Sequence, residues 1–106
     1  MEIKDFAKLI KECSTAIITE KDGTVHDNFL GSGYNGNDDY YFINTATLYT
    51  EFKRNDIEKA TVNKNTGVIS IVSTIGPHES KYYVKIKFFK ELNMINGKLN
   101  TFKYVN

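Results

Sequence analysis

The densest chemistry of the chain lies in ten residues, Lys81-Tyr82-Tyr83-Val84-Lys85-Ile86-Lys87-Phe88-Phe89-Lys90. Read with a period of two, Tyr82, Val84, Ile86 and Phe88 share one face of a strand, and Tyr83, Lys85, Lys87 and Phe89 share the other. The first face is apolar and belongs against a core. The second mixes cations with rings, so it suits a partner: lysines draw an anionic surface, and aromatic side chains carry large contact area at low entropic cost. Tyr83, Lys85, Lys87 and Phe89 are the expected partner-binding residues. A hairpin at Asn96-Gly97 brings Lys98, Lys103 and Tyr104 back beside them. The occupant is expected to be another protein or a second copy of the chain. Single-stranded nucleic acid also fits, with phosphates on lysines and bases on rings. The same lysines would equally guard an edge strand against aggregation, with no partner at all.

Other groups offer less. Gly31-Ser32-Gly33-Tyr34-Asn35-Gly36 spells G-x-G-x-x-G, but a dinucleotide site needs a helix directly after it, and Asn37-Asp38-Asp39 followed by a strand pattern stands there instead. A hairpin loop using glycine for unusual dihedrals is the expectation. Cys13, His26 and His78 are the nucleophile and bases available, without a recognisable elbow or protease context. Cys13 falls on an apolar helical face, where a buried, inert thiol is the default. His26-Asp27 and His78-Glu79 lack the repeated ligand spacing of a zinc site, so no metal is expected.

Several elements must position these groups. Phe6, Leu9, Ile10 and Cys13 recur at helical spacing from Ile3 to Cys13, with Asp5 in the first turn where a carboxylate suits the dipole. Ala16-Ile17-Ile18-Thr19 reads as strand, and Asp22-Gly23 as a hairpin turn into a second strand over Thr24 to Leu30. Gly31 to Asp39 reads as a turn-rich break, and Tyr40 to Ile43 as a third strand. Leu48, Tyr49, Phe52 and Ala60 share part of a helical wheel that Thr45 or Thr47 would cap, which favours a second short helix within 47–60. Residues there favour a strand only as far as Phe52. Asn63 to Gly67 is a turn, Val68 to Val72 an apolar strand, and Ile75 to Ser80 a loop. The expected fold is α+β: an N-terminal helix on a curved, mainly antiparallel sheet or small β-barrel of about six strands.

The whole chain of 106 residues is 41% hydrophobic and 25% charged, ordinary for a folded domain, and its length fits one domain spanning 1–106. One cysteine permits no internal disulfide, the opening residues form no signal peptide, and no apolar run approaches a membrane span. An intracellular, cytoplasmic protein is the expectation, with no membrane partner. Thirteen lysines against one arginine, with 11 Asn and 11 Ile, suggest a low-GC genome or its phages. Charge divides along the chain: residues 1–52 carry net −5 and residues 53–106 net +6. Such asymmetry marks either a binding surface or two halves that attract each other.

Residues 6–90 also resemble the flavin-binding split barrel of the pyridoxamine-phosphate oxidase type. The likeness rests on Phe6–Cys13 as leading helix, Asp22-Gly23 as hairpin, Tyr40–Thr45 as a strand ending in Thr, and Lys53 ahead of Asp56-Ile57. It implies an oxidoreductase binding FMN at a dimer interface, with Thr45 and Lys53 as phosphate contacts. Asp22-Gly23 through Asp56-Ile57 is similar to Sm-type and other SH3-like small barrels. From the residues themselves, without paired carboxylates or a nucleophile–base motif in the sequence, the expected function is non-enzymatic binding without a cofactor. A phage or mobile-element product that blocks a host machine fits the size and composition.

Overall fold

The computed structural model describes residues 1–35, 39–75, 81–95 and 98–101, with side chains as far as residue 90. In chain order the elements are α1 (Ile3–Glu12), β1 (Thr15–Glu20), β2 (Val25–His26), β3 (Phe29–Tyr34), β4 (Tyr40–Thr45), β5 (Tyr49–Lys53), α2 (Arg54–Glu58), β6 (Thr61–Val62), β7 (Ile69–Ser73), β8 (Tyr82–Ile95) and β9 (Lys98–Thr101). The fold is α+β, and the pairings among the described strands are antiparallel.

The larger sheet runs β2-β1-β8-β7-β6, with β9 also paired to β8. Its register puts Ile86 opposite both Ile18 of β1 and Ile69 of β7, and all three are fully buried. That row of β-branched side chains is what the alternation of β8 required. β8 is therefore an inner strand, paired to β1 over 84–89 and to β7 over 82–86, not a lysine-guarded edge. The guarded-edge expectation fails because an edge lysine and a lysine on the solvent face of a central strand carry the same period of two.

The smaller sheet runs β3-β4-β5 and turns Tyr41, Ile43 and Phe52 inward, each fully buried. β1 runs near β3 and β5 near β7. Among the described strands no ladder joins the two sheets, so they face each other without closing into a barrel. Ser73 on β7 bridges one gap by donating from Oγ to the Glu51 carbonyl of β5 at 2.6 Å.

Helix α1 covers the space between them. Phe6, Leu9 and Ile10 are buried as their spacing predicts. The Phe6 ring meets Tyr41 (5.4 Å), Phe52 (6.5 Å) and Phe88 (5.9 Å) edge-on, touching both sheets at once.

Two further expectations change. The segment 47–60 is first strand, then helix: β5 ends at Lys53 and the five-residue α2 begins at Arg54. Neither Thr45 nor Thr47 caps it. Thr45 Oγ1 instead accepts from Leu48 N and donates to Leu48 O, both at 2.9 Å, closing the β4–β5 turn. The run 24–39 differs as well. The strand expected from Thr24 to Leu30 breaks after His26, and Gly31 to Tyr34 continue β3 rather than form a loop. Positive φ among the described glycines occurs at Gly23 and Gly67, both in turns.

Candidate partner-binding face

The outer face of the larger sheet carries Tyr83, Lys85, Lys87 and Phe89 from β8, as the alternation predicts. Val84, Ile86 and Phe88 point the other way into the core. The ladder adds Thr15, Ile17 and Thr19 from β1 opposite Phe89, Lys87 and Lys85, and Ser70 and Val72 from β7 opposite Lys85 and Tyr83. Tyr83 remains 47% exposed and Lys85 is exposed, while Lys87 and Phe89 are half-buried. An open depression of about 440 Å³ lies over this end of the sheet, lined among others by Thr19, Lys21, Ser70, Val72, Tyr83 and Lys85.

Two of the rings hold lysines over their faces. Lys21 Nζ sits 5.1 Å from the Tyr83 ring centre and Lys87 Nζ 5.6 Å from that of Phe89, both within cation–π range. Lys21 was invisible to strand alternation because it lies in the β1–β2 turn.

The remaining expected residues divide. Lys98 lies on β9, opposite Ile95 of β8, so the last hairpin does return beside this strand. Lys103, Tyr104 and the loop histidine His78 lie outside the described residues. The candidate flavin-phosphate pair does not come together: Thr45 ends β4 opposite Phe29, whereas Lys53 stands opposite Tyr40 at the other end of that strand. Thr45 is 3% exposed, with its hydroxyl committed to Leu48.

Cys13 follows α1 as its C-cap, half-buried, its Sγ 3.5 Å from Ser32 Oγ. Burial pushes the thiol above its ordinary range, outweighing the Ser32 hydrogen bond, so it stays protonated and weakly nucleophilic. Among the described residues no group of three His, Cys, Asp or Glu side chains is placed to hold a metal, and no helix is long and apolar enough to cross a membrane.

A second aromatic face escaped the sequence reading. On the outside of the smaller sheet, the Phe42 ring stacks on Tyr49 at 6.0 Å, and the Tyr49 hydroxyl donates to Glu51 Oε1 at 2.6 Å. Tyr40 and Tyr49 are 44% and 54% exposed. Their alternation with buried Tyr41 and Thr50 was available as a signal, but Tyr40-Tyr41-Phe42 is aromatic on both faces and masks it.

A scan of the chain against known protein families finds no match, and searches of curated proteins and of solved structures find none either.

Proposed function

We propose that the chain is a binding protein that holds an acidic protein partner on the outer face of its larger sheet. The observation that carries this reading is the pairing of rings with cations there: Tyr83 under Lys21, Phe89 under Lys87, and Lys85 between them. An acidic side chain reaching this face meets an ammonium without disturbing the ring beneath it. A nucleobase would first have to displace the lysine from the ring it stacks on, which favours a protein over single-stranded nucleic acid. A second copy docked face to face would oppose lysine to lysine. The lysine-rich composition fits a product of a low-GC genome or its phages that occupies a host protein.

The test is retention of host proteins on the immobilised chain and on its Tyr83→Ala/Phe89→Ala variant, with and without nuclease. The expected result is an acidic protein retained despite nuclease, weakened by raised salt and lost on the variant, whose melting temperature falls by only a few degrees. Equal retention by the variant, or loss on nuclease treatment, overturns the reading. Unfolding of the variant would place the two rings in a second core layer and refute it too.

A further inference from the structure

On the inner side of the same sheet, four side chains form one line of hydrogen bonds. The Tyr82 hydroxyl of β8 donates to Glu20 Oε1 of β1. The other carboxylate oxygen, Oε2, lies 2.8 Å from His26 Nε2, and His26 Nδ1 lies 2.6 Å from Thr47 Oγ1 in the β4–β5 turn. A carboxylate only accepts, so Nε2 carries a proton; in the neutral form of the ring, Nδ1 then accepts from the threonine hydroxyl. One tautomer satisfies both bonds. The order is hydroxyl, imidazole, carboxylate, with each step at hydrogen-bond distance.

Exposure is distributed as a reactive hydroxyl requires. His26 is 7% exposed and packed in place, whereas Thr47 lies in an exposed turn. Glu20 is kept ionised: the Tyr82 hydroxyl, and after it His26, hold its carboxyl below the usual glutamate range. Tyr82 in turn stays protonated, because burial and then Glu20 push its ionisation well above that of free tyrosine.

We propose that Thr47 is a nucleophilic hydroxyl that accepts an acyl group from an activated ester or thioester, with His26 as general base and Glu20 orienting the ring. In that step Thr47 Oγ1 forms a bond to the acyl carbon as the bond to the leaving oxygen or sulfur breaks. The hydroxyl proton passes to His26 Nδ1 and from there to the leaving alkoxide or thiolate. The imidazolium formed between is stabilised through Nε2–H by Glu20. Nothing is oxidised or reduced. The inference does not rest on the partner-binding reading: Glu20 also lines the depression over that face, but Thr47 and His26 do not.

The experiment uses p-nitrophenyl acetate as acyl donor and follows the full chain by intact mass and peptide mapping. The expected product is a single acetyl group on Thr47, absent in Thr47→Ala and retained in Thr47→Ser. In His26→Gln the rate of Thr47 acetylation should fall by about 100-fold or more, the range of a lost general base. Glu20→Gln gives a second reading should the histidine variant fail to fold, with an expected loss of about tenfold or more from a misoriented ring. Acetylation confined to lysines and the N-terminal amine overturns the proposal, as does Thr47 acetylation at an unchanged rate in a folded His26→Gln or Glu20→Gln chain.

Discussion

A Cβ built on Gly33 would sit 2.8 Å from Phe42 Cε1 and 2.9 Å from Cζ, closer than carbon atoms tolerate. The backbone of Gly33 is ordinary strand, so the glycine serves the close approach of a ring rather than a turn. Gly33→Ala should therefore tilt Phe42 off Tyr49 and cost about 1–3 kcal/mol in urea unfolding. In a Phe42→Ala background the same change should cost far less, since the clash has gone. Sequence reading assigned Gly33 to a loop because glycine-rich spelling looks alike in both settings. What distinguishes them is a ring nine residues on, across a register that no local pattern encodes. Phe6, by contrast, was legible as core from its own helical spacing.

At the scale of elements, α2 shows how a helix too short to stand by propensity is held. Asp56, only 5% exposed, accepts from Lys53 N at 2.9 Å and Thr74 N at 3.2 Å through Oδ2, and from Thr74 Oγ1 at 2.8 Å through Oδ1. One carboxylate thus caps the helix start and fastens the segment after β7. Asp56→Ala strands those donors and should cost about 2–4 kcal/mol by chemical denaturation, with Asp56→Asn milder because one oxygen remains. The sequence showed the conflict at 47–60 without resolving it. Strand-favouring residues stop at Phe52, and the helical wheel spans the join. Only the β4 ladder decides that Tyr49 to Lys53 extend. β8 was legible because its alternation survives eight residues unbroken, whereas β3 was not, since Gly31 and Gly33 remove the side chains that would have marked its faces.

For the whole molecule, the line from Tyr82 through Glu20 and His26 to Thr47 ties β8, β1 and β2 of one sheet to the β4–β5 turn of the other. Its carboxyl has a lower pKa in the fold than the usual glutamate value of 4.5, chiefly through the Tyr82 hydroxyl. Its stabilising contribution is thus complete above about pH 4.5 and lost as pH falls through the lower folded value, where the unfolded chain binds the proton first. Melting temperatures measured from neutral pH downward should fall in that acid range, and Glu20→Gln should flatten that decline. The charge division along the chain was legible, and so was the cationic face of β8. That β8 occupies the centre of its sheet was not, because centrality is a property of partners far away in sequence. Thr15 pairs with Phe89, across a loop whose closure entropy must be met before the pair forms. During synthesis, β1 therefore leaves the ribosome with its principal partner not yet made, while the consecutive hairpins of β3, β4 and β5 are already complete. The smaller sheet is the part of the molecule able to assemble first, and β8 is the strand whose arrival converts a waiting apolar face on β1 into a core.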